Sequence, residues 1–443
     1  MLASKLTMST AGHSTGGASI GWISTFGAAG TDRINQVALD STGGVYTIGT
    51  ANGLGTGNSN DDALLTKYTS NGTIEWQRVL GGTNADYGNG IAIDSSNNIC
   101  ITGYTYSVNG TAVAYVAKYN SSGTLQWQRW LGGGSEYGNA ISTDSSGNVY
   151  VTGRSFYGGT TNYDFLTFKY DSSGTLQWQR RIGGSGSSNE IAAAIVANSS
   201  GNTVVVGYSS GLGAGSDDIL IVRYGPTSSL LSSSTLGGTG SERGYGVALD
   251  SSDNFYIVGS TTSAGAGGTD LILAKYNSSA TLQWQRTLGG TGTDLGSGVA
   301  VDSSNNVYVV GQTDSQGAGS YDVLIAKYNS AGTLQWQRVL GIAANGEYGY
   351  GIAVDSASGH FYITGFTTSV GAGGWDAFVA KFPVSGSGIG TFGIWTYQES
   401  TLTAATSNLT ANSGLTTSAG ASSFSNGTAT LTDTPVIQTF PIA

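Results

Sequence analysis

Seven acidic residues stand eight positions before an Asp-Ser-Ser turn or its equivalent: Asp32, Asp86, Glu136, Glu190, Glu242, Asp294 and Glu347. Carboxylates are hard oxygen donors, so a ring of them at one mouth of a closed structure could hold Ca²⁺. The competing reading is that each acid caps backbone N–H groups, the role expected when one residue type recurs in every copy of a repeat. A second set is specific to single copies. Tyr104, Tyr106, Phe156, Tyr157 and Trp375 lie in or beside variable loops, where a rigid scaffold usually carries recognition of a glycan or protein. Trp76, Trp127, Trp178, Trp284 and Trp336, each in a Trp-Gln-Arg string, could form a sugar-binding girdle, but their repetition favours packing between units.

Groups for covalent or acid–base catalysis are scarce. The histidines are His13, in a terminal arm, and His360, in a turn. Cys100 sits in Ile-Cys-Ile and reads as a small buried residue. The Asp-Ser-Ser-Gly-Thr-Leu-Gln-Trp segments approach a sialidase Asp-box, but their Gly-to-Trp spacing is one residue too long. The Gly-Ser-Gly stretch at 183–188 lacks the strand–elbow–helix setting of a serine nucleophile. A non-enzymatic protein is expected, with no cofactor beyond the Ca²⁺ that the acids could hold.

The elements that must position these residues come from a repeat. Trp-Gln-Arg and its altered copies fall at Trp22, Trp76, Trp127, Trp178, Ser232, Trp284 and Trp336, a period near 52 residues. Each copy has a turn residue at Asp40, Asp94, Asp144, Asn198, Asp250, Asp302 or Asp355. Each also has a basic residue followed by Tyr or Phe, at Lys67, Lys118, Lys169, Arg223, Lys275, Lys327 and Lys381. Runs such as NVYVTG, DVLIAKY and TLQWQRVL are β-rich and separated by Asx/Ser/Gly turns. Four strands per copy and seven copies predict an all-β, seven-bladed β-propeller, with a solenoid of hairpins as the runner-up. The last copy has no Trp-Gln-Arg strand of its own, so the Trp22 strand is expected to complete it and close the ring. The expected organisation is an arm over 1–17, the propeller over 18–382 and a tail over 383–443.

The segments YGNGIAIDSSNNICITGYT and YGYGIAVDSASGHFYITGFT resemble the bacterial SBBP-type β-propeller repeat, and more loosely the blades of NHL-type propellers. The resemblance implies a propeller with GIAID as the innermost strand and implies no shared active site.

Composition narrows the function. Charged residues are 10% of 443, with a net charge of −10, against a nucleic-acid partner. No run nears the ~20 apolar residues of a membrane helix, and the N-terminus does not read as a secretory signal. The 61-residue tail carries two charges, Glu399 and Asp433, and repeats Leu-Thr at Leu402, Leu409, Leu415 and Leu431. It is similar to the Thr/Ser/Leu-rich tails of marine phage structural proteins. With too few large apolar residues for a core, it is expected to bury its Leu-Thr positions against other subunits of an assembly. These readings point to a structural or interaction protein, a virion component that could meet a host-surface glycan or protein. A secreted bacterial binding module, extracellular or on the cell surface, is the alternative.

Overall fold

Four β-rich runs joined by tight turns fill each copy, and the computed structural model has no helix among its described residues. These are residues 7–13, 21–413 and 438–439, with breaks at 28–29, 54–59, 109, 133, 157–161, 184–187, 318, 344, 370–373, 388, 393–394 and 408. The strands form seven antiparallel sheets, one for each copy. Blade 2 shows the pattern: Asp86–Ile93, Ile99–Thr105, Val113–Tyr119 and Leu125–Leu131, each paired with the next. Blade 1 begins at Arg33, and the first strands of successive blades pack beside one another around the axis. Blade 7 is completed by Gly21–Gly27, with Trp22 opposite Lys381 and Phe26 opposite Ala377. The ring is closed by its N-terminal strand, and Thr7–His13 adds outside it.

The apolar core is divided into seven clusters, each shared by two neighbouring blades. Cys100 and Val116 of blade 2, for example, meet Ile141, Leu166 and Phe168 of blade 3. Outer strands that keep the Trp-Gln-Arg string are clamped to the turn of the following blade. The indole N–H of Trp284 donates to the Ser330 carbonyl at 3.2 Å, and the Arg286 Nε–H donates to the Gly332 carbonyl at 2.9 Å. Trp127 and Arg129 do the same to Ser172 and Gly174. The guanidinium also lies over its own indole, 5.3 Å away for Arg286 and Trp284. Gly suits the turn: at Gly332 φ is +77°, and a Cβ would come within 2.8 Å of the Trp284 ring, although opposite Trp178 the same place is held by Ser228 at φ +71°. In blade 4 Ser232 replaces the Trp. The facing turn position, two residues beyond Ser278, is Ala280 at φ +64°, and the long Arg223 side chain reaches Ser278 O instead.

Around the perimeter the tail adds fifth strands. Trp395–Glu399, Thr403–Thr406 and Thr410–Ser413 pair with the outer strands of blades 6, 5 and 4. The pitch is seven residues per blade, because Thr396, Thr403 and Thr410 face Gly341, Gly289 and Gly237 in the same register. Gln337 and Gln285 of the Trp-Gln-Arg strings donate to the carbonyls of Leu402 and Leu409, both at 2.9 Å. Trp395, Leu402 and Leu409 are buried in the inter-blade clusters. The expectation that the Leu-Thr positions find no burial within one chain is therefore corrected for Leu402 and Leu409. Grooves between blades supply the apolar surface that the tail cannot gather alone. Leu415 and Leu431 lie outside the described residues.

Two outcomes follow from these contacts. Leu402→Ala and Leu409→Ala should each lower unfolding stability by about 2 kcal/mol in urea titrations, since each empties a buried site; unchanged midpoints would show that the belt does not contribute. Ser232→Trp should be accommodated opposite Ala280, as Trp178 is opposite Ser228, and raise unfolding stability by about 1 kcal/mol through the regained clamp; a loss that Ala280→Gly repairs would show that the methyl group obstructs the indole.

Candidate functional site

The seven acids open the first strands, so all lie at one end of the ring, and their side chains are buried. Asp86 Oδ2 accepts from Gly82 N at 2.8 Å and from Ser107 Oγ at 3.0 Å. Glu242 accepts from Gly238 N at 2.6 Å, Thr261 Oγ1 at 2.8 Å and Ser263 N at 3.1 Å. Asp294 and Glu347 repeat the pattern with Gly290 N and Ser315 Oγ, and with Ile342 N and Thr367 Oγ1. Asp32 accepts from Asn52 N, Glu136 from Gly134 N, and Glu190 from Ser209 Oγ. The backbone N–H of Glu190, Glu242 and Glu347 donates in turn to Tyr163, Asp217 and Tyr321 of the preceding blade. Each acid thus ties the inter-blade connection to its own second strand. Burial raises the Asp86 and Glu347 carboxyls, against the pull of these donors. Among the described residues no three His, Cys, Asp or Glu side chains come together as a metal site.

Three residues further on, every first strand is bulged. In blade 2 the pairing steps from Gly88↔Gly103 to Gly90↔Thr102, leaving Asn89 as the extra residue. The bulge needs Gly opposite, since a Cβ on Gly103 would stand 1.8 Å from the Tyr87 carbonyl. It also breaks the simple alternation of small residues expected of this strand: Gly88 faces Ile48 of blade 1 and Gly90 faces Ala140 of blade 3. Between those faces the extra residue looks into the channel. In blades 1, 2 and 3 it is Asn35, Asn89 and Asn139, and each Nδ2 donates to the carbonyl at the next blade's bulge: Gly88, Gly138 and Ala192, at 2.7, 2.8 and 2.7 Å.

Beside this amide ladder lies a cavity of about 320 Å³ lined by Arg33, Asn35, Asn89, Tyr104, Asn139 and Arg154. The lining is mostly polar, and aromatic rings back it. Tyr104 stacks on Tyr87 with centroids 4.6 Å apart and meets Tyr137 edge-on at 4.8 Å. The Arg154 guanidinium lies 4.4 Å from the Tyr137 centroid and 4.9 Å from that of Tyr163, and Arg33 lies 5.9 Å from that of Tyr87. Neither guanidinium has a carboxylate partner among the described residues. Arg243, on blade 5, is different, because Asp217 of blade 4 holds it at 2.6 Å. The Tyr87 phenol is pushed up to about 12 by burial and by Asp61, and burial raises Tyr104 and Tyr137 as well.

The copy-specific aromatics divide between two places. Tyr104 lines the cavity, Tyr106 meets it edge-on at 5.9 Å, and Phe156 reaches the same cluster through Tyr163 at 5.1 Å. Trp375 stands on blade 7, stacked on Phe366 at 4.5 Å, which in turn stacks on Tyr348. Tyr157 lies outside the described residues. Sequence reasoning missed Arg33, Arg154 and the three Asn residues. Their signal was variation at fixed repeat positions, with Asn in three consecutive copies where the others have Ala193, Tyr245, Ser297 and Tyr350.

The β-propeller repeat profile named SBBP matches residues 75–110 and 283–317, one stretch spanning blades 1 and 2 and the other blades 5 and 6. These are SBBP β-propeller repeats. The chain has no match among curated proteins. It is similar to the crystal structure of the polysaccharide lyase Uly1, at 9% identity and a TM-score of 0.49, over 81% of this chain and 91% of that one. It is also similar to YCF48 bound to D1 peptide, at 13% identity and a TM-score of 0.42, over 80% of this chain and 92% of that one. Neither likeness bears on activity, and none of these matches bears on the likeness of the tail to phage structural proteins.

At the opposite end of the ring the turn aspartates close the first hairpins. Burial works against the Asp94 carboxylate, but Lys118 Nζ at 2.8 Å and the N–H groups of Asn98 hold it below the ordinary value near 3.8. Asp40, Asp250 and Asp355 are lowered in the same sense by their turn donors. A depressed carboxyl contributes stability that is complete above its unfolded pKa and is lost as pH falls through the folded one. The stability that these four turns contribute should therefore be lost below pH about 4, whereas the raised carboxyls at the other end act in the opposite sense. Asp94→Asn should cost on the order of 3 kcal/mol at pH 7, because Lys118 is left buried without its counter-charge, and much less at pH 2. An equal loss at both pH values would place the defect in packing.

Proposed function

We propose that the SBBP propeller is a non-enzymatic binding module that presents its channel mouth to a glycan or protein. The observation that carries the reading is where the copies differ. Residues that recur in all blades cap turns and clamp neighbours, whereas Arg33, Tyr87, Tyr104, Tyr137, Arg154 and Tyr163 differ from copy to copy and share one end of the ring. Convergent polar groups held in place by a rigid cluster of aromatic rings suit a recognition site.

Groups suited to catalysis lie elsewhere or are held in unreactive states. Cys100 is fully buried with its thiol pushed up to about 12. His360 opens the second strand of blade 7, at the opposite end from Trp375, and its Nδ1 hydrogen-bonds the Ser358 carbonyl at 2.8 Å. The raised phenols at the mouth stay protonated near neutral pH, which disfavours tyrosinate as a base.

The module is displayed by a larger assembly, a virion or a cell surface, in this proposal. The described tail dresses the chain's own blades, up to Ser413 and again at Gln438–Thr439 beside blade 1, so attachment falls to the outer strands Leu125–Leu131 and Leu176–Ile182, which carry no fifth strand among the described residues.

Tyr104→Ala and Tyr137→Ala should each weaken binding at least about tenfold on glycan and peptide arrays while the melting temperature of the ring stays within a few degrees. Leu231→Ala, on the perimeter at 48% exposure, should bind like the parent. Loss confined to the perimeter variant would move the site away from the mouth.

A further inference from the structure

We infer that the channel-mouth cavity is built for an acidic sugar, a uronate-type residue carrying a carboxylate beside free hydroxyls; this rests on the mouth being the binding site. The first observation is charge. In a chain of net charge −10, acids outnumber bases, and most basic side chains are committed to inter-blade contacts. Arg33 and Arg154 are exceptions: both line the cavity and are held by aromatic faces alone. The nearest acid that acts on this cluster is Asp61, which accepts from Asn52 Nδ2 at 3.1 Å and sits against Tyr87. Desolvating a guanidinium without a counter-charge is unfavourable, and an incoming carboxylate relieves that cost with charge-assisted hydrogen bonds. Stacking on Tyr137 and Tyr163 fixes the Arg154 plane in advance, so little side-chain freedom is lost on binding.

The second observation is the complementary set of acceptors. Asn35, Asn89 and Asn139 spend their Nδ2 groups on neighbouring blades. Each is left with its amide oxygen, and among the described residues only Asn89 Oδ1 meets a further donor, Asn35 Nδ2 at 3.5 Å. Amide oxygens repel a bare anion but accept from hydroxyl groups. Two guanidiniums and three amide oxygens on one wall therefore match a ligand with an anionic group and several O–H donors together. A phosphate or sulfate ion offers the first without the second, and a neutral sugar the second without the first. Tyr104, which lines the cavity, supplies aromatic surface for the apolar side of a pyranose. A volume of about 320 Å³ lies at the small end for a small-molecule pocket, as suits the end of a saccharide chain.

Isothermal titration of the full chain with oligogalacturonate, and with a neutral oligogalactose of equal length, tests this. The expected result is binding of the acidic oligomer at least tenfold tighter than the neutral one, weakening as NaCl rises from 50 to 500 mM. Arg33→Gln and Arg154→Gln should each weaken it by about tenfold or more, while Arg154→Lys keeps part of it. If a Gln variant fails to fold, the salt dependence and the acidic-to-neutral ratio of the parent decide. Equal affinity for both oligomers, lost in Tyr104→Ala, would overturn the acidic-sugar assignment and leave the mouth as the binding site. No binding of oligogalacturonate at millimolar concentration would overturn the assignment, and array binding that ignores Tyr104 and Tyr137 would overturn the site itself.

Discussion

The ring depends on one contact made again and again: an outer strand laying Trp and Arg onto the tight turn of the next blade. Blades have no covalent ties other than the chain, and each exposes two apolar faces that only its neighbours can cover. The clamp joins them by two means at once. Indole and guanidinium N–H groups satisfy turn carbonyls that would otherwise be left in a half-buried groove, and the ring planes cover the adjoining apolar cluster. Lys118, Lys169, Lys275 and Lys327 reinforce it from the third strand, reaching the same turns in the next blade. The turn side of the clamp is not uniform: Gly174 and Gly332 face their Trp, Ser228 faces Trp178 with its hydroxyl taken by Arg180, and Ala280 stands opposite the Trp that blade 4 lacks.

The fold was legible because its constraints are local and sevenfold. Strand runs, Asx turns and the period near 52 each say the same thing in every copy, and the missing last strand pointed directly to Trp22. The site was less legible for a reason that lies in the backbone. An alternating reading of Gly88, Gly90 and Ala92 places them on one face, whereas the bulge at Asn89 turns Gly88 and Gly90 to opposite neighbours and sends Asn89 into the channel. A single inserted residue is invisible to a period-two pattern. Tyr104, Tyr106 and Phe156 were found through their variability, and the same criterion applied to strands as well as loops leads to Arg33, Arg154 and the Asn ladder.

The tail was misread for a related reason. Its scarcity of large apolar residues was judged against a core it would have to build alone. Leu402 and Leu409 build nothing; they fill grooves left where two blades diverge toward the perimeter, and the Gln of each Trp-Gln-Arg string supplies a donor for the backbone at the same point. A seven-residue pitch suffices because the strand need bridge only from one blade edge to the next. The low charge fits this placement, since a belt lying on outer strands pairs its N–H and C=O groups with protein and has less need of charge to remain solvated.

Symmetry and function divide the molecule between them. Capping acids and clamps that recur around the ring do not distinguish one direction about the axis from another, so they define a circular rim and nothing more specific. A ligand without sevenfold symmetry needs an uneven rim. The bulge supplies the means: it presents one side chain per blade to the channel from a position whose backbone is already fixed by its neighbours, so that side chain is free to vary without loosening the ring. Three Asn in succession, with Arg33 and Arg154 beside them, concentrate acceptors and positive charge on blades 1 to 3. Tyr245, Ser297 and Tyr350 leave the other half of the rim with a different character. The framework that the repeat makes rigid is what allows so few substitutions to give the mouth a direction.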